Sequence, residues 1–418
     1  MSKEKPYMTF SPPALTQQAD IEGISYDFNL GARVSVPQGE YMVKLIDRDA
    51  CLTVYEQPAS GVIVSSSKRY FVNFRIEVHQ LDKGESTDKK KIYRLLFSHD
   101  YDAKGKNVLI KFPDGALGDM LAWFPYADEF RKKHACELYV AMSDRFREIF
   151  EPVYPKLHFI KEEELPENLY ASYYMGLFAP WEDRNLQPLD WRIVGLQAHG
   201  ASILGVDRQE LMPRLSIGKY KEKIKGPYVC IASQATAQAK YWNNASGWME
   251  VTAYLKEKGY RVLCIDRERI VSHGLFGNTI PYGTEDFTGN RPLQERIDLL
   301  AGAEFFIGLP SGLSWLAWAT GIPVVMIAGF TAPGTEFFTP YRVQQFHTCN
   351  SCCNDTRNKH EYGDFGACPH HRNTGREFEC TRCITGAYVK RVIDKVIADK
   401  KKARRKMICG SGNPQKRG

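Results

Sequence analysis

Two carboxylates stand close together in the run VLIKFPDGALGDMLAW, residues 108–123: Asp114 beside Pro113 and Gly115, and Asp119 directly after Gly118. The apolar stretch 108–112 reads as a strand, the glycines as a turn, and Leu117, Leu121 and Phe124 as one face of a helix that starts near Gly118. In an open α/β sheet such a junction lies at the carboxyl end of a strand, where ligands bind and backbone amides point outward. The plainer reading makes Asp114 a turn residue and Asp119 a helix-start residue favoured by the macrodipole.

Three further places carry groups suited to a nucleotide diphosphate. Lys240 lies in a loop past an apolar strand, near Ser233, Gln234 and Thr236, where an ammonium can reach a diphosphate while amides and hydroxyls bind its oxygens. Asp266 ends the strand YRVLCID, a position from which a carboxylate can accept ribose hydroxyls or cap a turn. In GLPSGLSW, residues 308–315, a glycine turn leads into a helix start that offers Ser311, Gly312, Leu313 and Ser314 to a phosphate.

The cysteines imply different chemistry. Six of the eleven fall between residues 349 and 383, in CNSCCND, ACPHH and FECTRC. Pairs spaced Cys-x-x-Cys let two thiolates bind one ion, and two such pairs in a loop-rich stretch suggest a tetrahedral metal site. The choice of ligands stays open from spacing alone: Cys353 and Cys383 compete, as do His347, His370 and His371.

These groups need elements to hold them. From about residue 106 strand-like and helix-like runs alternate, as in an α/β chain. VLIKF, CELYVAMS and LHFI belong to a first Rossmann-like domain over 106–214, which ends in a tyrosine-rich stretch, YASYYMGLFAPWED, and a helix from about 191 to 204. YVCIAS, YRVLCID, EFFIGL and PVVMIAG belong to a second over 215–345, with HGLFGNT read as a polar loop. Short alternating runs over 26–105 read as a small antiparallel β domain suited to docking. Residues 1–25 form an arm, 346–385 the metal finger, and 386–418 a helix with a basic tail.

Composition sets the frame. Over 418 residues, 43% hydrophobic and 25% charged content are ordinary for a globular protein. There is no run of eighteen apolar residues and no signal-peptide core, so a cytoplasmic protein without membrane insertion is expected. The net charge of +7 gathers in the C-terminal lysines and arginines, without aromatic interleaving, and reads as a solvated helix face and not as a nucleic-acid surface.

The run around Gly118-Asp119 resembles the opening of the catalytic domain in ADP-heptose-using glycosyltransferases. That resemblance makes Asp119 the general base, with Asp114 in reserve, and gives the two Rossmann-like domains the name GT-B. In the lipopolysaccharide heptosyltransferases a Lys-x-Trp-like element contacts the ADP phosphates, here Lys240-Tyr241-Trp242. Those enzymes usually carry Asp-Thr-Gly-x-Ser-His where this chain has Pro310 and Trp315 in place of the acid and the histidine. The same departure, together with Phe-Pro-x-Gly-Ala-Leu-Gly-Asp, resembles the bacterial autotransporter heptosyltransferases, which place heptose on serines of adhesins before export.

By that resemblance one iron would be held by Cys349, Cys352, Cys368 and Cys380, although spacing accepts zinc equally. ADP-heptose would be the donor in the interdomain cleft, the adhesin passenger domain the partner, and a homo-oligomer as large as a dodecameric ring the assembly. The sugar transfer itself would need no metal, since Lys240 and phosphate-binding amides would stabilise departing ADP. Two alternatives stand beside this reading: a heptosyltransferase acting on lipopolysaccharide or a small glycan, and a non-catalytic metal-finger scaffold.

Overall fold

The run 108–112 becomes the strand Asn107–Lys111, central to an eight-stranded sheet. The computed structural model describes residues 14–82, 92–161, 164–178, 185–220, 224–274, 276–358 and 365–410. The first thirteen residues of the expected arm and the last eight of the basic tail lie outside them. The chain divides into two compact units. One takes the described residues up to Gly115 together with Ala122–Leu211; the other takes Ala116–Leu121 and the described residues from Met212 onward.

In the first unit Asn107–Lys111 is flanked on one side by Glu137–Ala141 and then His158–Ile160, and on the other by Ala171–Tyr174, all parallel. The chain therefore reverses its order of strand addition between Asn107–Lys111 and Ala171–Tyr174. Ligands in such sheets gather at the carboxyl ends of strands flanking that switch, and Asp114 follows one of them. The tyrosine-rich stretch is thus a central strand, with Ala171, Ser172 and Tyr173 buried.

The residues read as one antiparallel β domain are divided between two sheets. Ser25–Asn29 pairs parallel with Ala171–Tyr174, and Arg33–Ser35 and Ile63–Ser65 continue that sheet antiparallel. Tyr41–Asp47, Leu52–Ala59, Phe74–Leu81 and Tyr93–Asp100 form a separate four-stranded antiparallel sheet. Its inner strands alternate: Tyr41, Val43, Leu45, Phe74, Ile76 and Val78 are buried, and the residues between them are half-buried. That is the pattern of a sheet with one covered face. The single helix expected near 191–204 is broken into Trp191–Val194 and Leu196–Ile203, because Gly195 takes a φ of 80° between them.

The second unit holds a six-stranded parallel sheet in the order Glu285–Asp286, Arg261–Cys264, Tyr228–Ile231, Phe306–Gly308, Val324–Ile327, Arg342–Val343. The four inner strands carry runs of buried apolar residues, as strands covered on both faces do. Its switch falls between Tyr228–Ile231 and Phe306–Gly308. The C-terminal helix Gly386–Gly410 belongs to this core through Val389, Ile393 and Val396. The expected loop HGLFGNT instead forms the end of the first strand, and the whole of the second strand, of a hairpin that pairs Ile270–His273 with Phe276–Thr279. Among the described residues no helix is long and apolar enough to cross a membrane.

Candidate functional site

Both strands at the second switch deliver candidate residues. Ser233, Gln234 and Lys240 follow Tyr228–Ile231, and Ser311 follows Phe306–Gly308. Lys240 ends a short 3-10 turn, Gln238–Lys240, and is half-buried with no ion pair to another described residue. The helix Gly312–Ala319 starts at Ser311, whose buried hydroxyl has no hydrogen-bond partner among the described residues. The first amides of any helix lack intrahelical acceptors, so this start can receive an anion.

The first turn of the helix Leu117–His134 belongs to the same unit and meets that helix start. A Cβ built on Gly312 would stand 2.8 Å from the Cβ of Leu117 and 3.1 Å from the backbone N of Gly118. Contact this close requires glycine. Asp119 follows immediately. Its side chain keeps some accessible surface, but protein packs closely around the carboxylate and pushes its pKa up to about 6, with Lys240 pulling in the opposite direction. It accepts no hydrogen bond from another described residue.

A carboxylate poised near neutrality and not tied to a donor can take a proton. Asp114 differs: it is exposed and engaged by Ser143 Oγ and Arg145, each at 3.1 Å.

Four expected ligand-binding residues, Asp266, Ser233, Ser314 and Gln234, make contacts within the protein. Asp266 is 1% exposed. Its oxygens accept the Ser233 amide at 2.8 Å, the Ser233 hydroxyl at 2.9 Å, the Gln234 amide at 3.2 Å and the Cys264 thiol at 3.2 Å. Burial raises its pKa despite those donors. A ribose-facing role gives way to holding the loop that leads to Lys240, and Ser233 is consumed in the same contacts. Ser314 is fully buried and donates to the Leu309 carbonyl at 2.5 Å, so its hydroxyl closes the turn and does not face a phosphate. Gln234 donates to the Glu268 carbonyl at 2.8 Å, whereas Thr236 is exposed.

Asp266→Ala is expected to cost about 2–4 kcal/mol, because one buried and one part-buried amide lose their acceptor. A chemical-denaturation midpoint checks it. An unchanged midpoint would remove Asp266 from this role.

Cys349, Cys352, Cys368 and Cys380 line one small cavity, which Ala239, the neighbour of Lys240, also lines. Cys349 Sγ and Cys352 Sγ are 3.7 Å apart. Two thiolates on one tetrahedral ion at about 2.3 Å stand about 3.8 Å apart, so this pair fits an ion. Among the described residues no set of three or more His, Cys, Asp or Glu is gathered tightly enough to form a complete ligand shell as it stands.

Burial and the other thiols raise Cys352 well above the usual thiol range and push Cys380 up to about 12. A cation in the cavity would reverse that balance. The Cys349 amide donates to Glu379 Oε1 at 2.8 Å, and Arg376 holds Glu379 through two bonds. Glu379 lies inside the quoted run FECTRC, but only its cysteines read as functional, and Arg376 lies outside every quoted run.

Against known proteins, residues 21–82 match the N-terminal domain of glycosyltransferase TibC, and residues 191–364 match glycosyltransferase family 9, the heptosyltransferases. Autotransporter heptosyltransferase TibC of Escherichia coli O78:H11 is 48% identical over 398 residues, 95% of each chain. The chain belongs to the autotransporter heptosyltransferase family. Its relative BAHTCr of Citrobacter rodentium is 46% identical over the full length of both chains. A more distant autotransporter heptosyltransferase, BimC of Burkholderia thailandensis, is 38% identical over 92% of this chain and 88% of its own, and is named as inactive. The crystal structure of TibC, described as an iron-containing dodecameric glycosyltransferase, superposes with a TM-score of 0.87 over 93% of this chain and 100% of that one, at 48% identity. TibC has also been solved with ADP-D-β-D-heptose. This autotransporter heptosyltransferase is thus a glycosyltransferase by family and by fold.

Proposed function

We propose that this autotransporter heptosyltransferase moves heptose from ADP-heptose to serine side chains of an adhesin passenger domain, in the cytoplasm before export, with Asp119 as the base. One observation carries the reading: a carboxylate raised to about 6 and bearing no hydrogen bond from another described residue stands at a helix start, within electrostatic reach of Lys240. The serine oxygen attacks the anomeric carbon while Asp119 takes its proton. The bond from that carbon to the diphosphate oxygen breaks, and ADP leaves with the electron pair. Lys240 and the amides of Gly312 and Leu313 balance the charge that develops on the diphosphate.

The thiol cavity supports one iron per subunit, held by Cys349, Cys352, Cys368 and Cys380, with zinc as the ion the same thiolates would also accept. The ion would supply structure, since four protein thiolates leave no open coordination position. A homo-oligomer follows by analogy with dodecameric TibC.

Intact mass of an adhesin passenger fragment, incubated with this protein and ADP-heptose, tests the reading. Added heptose supports it. Transfer to purified lipid core but not to the fragment would make the acceptor a glycan. Untouched ADP-heptose across acceptors would place this chain with its inactive relative or make it a scaffold.

Lys240→Met is expected to weaken ADP binding roughly 10- to 100-fold through loss of a charged hydrogen bond. Calorimetric titration reads the change, and unaltered affinity would remove Lys240 from the diphosphate site.

A further inference from the structure

We infer that Trp315 is a positioning residue for Asp119, and that its indole sets where the base stands against the anion-receiving helix start. The inference rests on the proposed role of Asp119 as base.

A Cβ added to Gly118 would lie 3.0 Å from Trp315 Cδ1, 3.4 Å from Trp315 Nε1 and 3.6 Å from the Cα of Gly312. The indole edge is therefore pressed against the backbone of the residue just before Asp119. Trp315 itself cannot give way easily. It is 2% exposed, with Trp318 and Phe337 set edge-on to it at 5.7 and 5.0 Å between ring centres.

On the other side Gly312, three residues before Trp315, abuts Leu117 and the Gly118 amide. Gly118 and Gly312 thus interlock, and Trp315 backs the contact. A large rigid side chain at 315 fixes the register between the helix start that receives an anion and the helix start that carries the base. In chemical terms it fixes the base relative to the anomeric carbon that hangs from the diphosphate. A displacement of about 1 Å there can cost on the order of 100-fold in rate.

Packing also limits water around Asp119. Lys240 is the charged group acting on that carboxylate from the facing loop, and removal of the indole would leave Lys240 in place while admitting solvent.

The experiment measures steady-state transfer on the intact protein for Trp315→Leu, Trp315→Phe and Asp119→Asn, with circular dichroism melting of each. Trp315→Leu is expected to lower kcat roughly 30- to 100-fold, with KM for ADP-heptose within about threefold, and to move the acidic limb of kcat/KM to lower pH. Trp315→Phe keeps a ring against Gly118 and is expected to recover most of kcat. Should Trp315→Leu not fold, Gly118→Ala reports instead, since its methyl meets Cδ1; the same kcat-selective loss is expected there.

Loss confined to KM, an unmoved acidic limb, or equal damage in Trp315→Phe and Trp315→Leu would overturn the inference. Asp119→Asn separates the two ideas. If it turns over normally, the base assignment fails. If it is inactive while the Trp315 and Gly118 variants retain wild-type kcat, only the positioning role fails.

Discussion

Asp119→Asn is expected to abolish heptose transfer and, at pH 7, to raise the melting temperature of the protein. Both effects come from one cause. Burial lifts this carboxyl from 3.8 to about 6, so the fold favours the protonated form. The unfolded chain ionises near its ordinary value, and the fold follows only near pH 6. Between those values each step up in pH favours the unfolded state, and above pH 6 the full cost is present.

A shift of that size corresponds to about 3 kcal/mol, and the partial exposure of Asp119 argues for less, on the order of 1–3 kcal/mol. Asparagine has nearly the same shape and no charge, so the variant is released from the cost. The gain should shrink as the pH is lowered toward 4. In the native enzyme kcat/KM should fall about tenfold per pH unit below pH 6, as the base is protonated. Melting curves and transfer rates across pH 4–8 test both halves. A variant that is inactive but no more stable would separate the base from the strain; one that retains turnover would dismiss Asp119 and turn attention to Asp114.

Serine at Cys352 or Cys380 is expected to have the largest effect on stability. Both thiols are buried, and the backbone around Cys380 is built into the second unit: a Cβ on Gly329 would lie 2.7 Å from the Cys380 carbonyl. Thr381 and Ile384 continue the contact, accepting bonds from Asn243 and Trp242 at 2.9 Å each. A structural ion on four thiolates contributes about 10 kcal/mol or more to folding. Loss of one ligand should therefore release bound metal, measured by plasma emission spectrometry, and lower the melting temperature by more than about 10 °C.

Cys383→Ser is the contrasting variant, because that thiol is exposed. It should change neither metal content nor melting. Full metal content in the Cys352 and Cys380 variants, with loss in Cys383→Ser, would redraw the ligand set. Absence of metal from the native protein would leave a cluster of buried thiols with a purely apolar role.

Much of the fold was legible because buried parallel strands announce themselves. VLIKF, YVCIAS and PVVMIAG are continuous apolar runs with turn residues after them, and each became a strand of a parallel sheet. Ala171–Tyr174 escaped because its tyrosines read as neither strand nor helix, yet Tyr173 is buried in aromatic company that only the tertiary fold supplies.

In the candidate site, the glycine turn and Lys240 are nominated by type and position, and the structure sets both in the second unit. The work of Asp266 could not be read that way. A carboxylate at a strand end looks identical in sequence whether it faces a ribose or the amides of its own neighbouring loop. Trp315 was visible only as a departure from a motif, since nothing in its spacing says that an indole edge will touch Gly118.

The strand Ser25–Asn29 has its parallel partner some 140 residues later in the chain, with Phe28 N–H donating to the Tyr170 carbonyl at 2.8 Å and Leu30 N–H to that of Ser172 at 3.1 Å. During synthesis this strand leaves the ribosome long before Ala171–Tyr174 exists. Until then one edge of Ser25–Asn29 lacks its native parallel partner, a template for pairing with another chain. The N-terminal segment is thus held in waiting by the order of translation, and its closure against residues 171–174 is a long-range step that has to follow synthesis of the later strand.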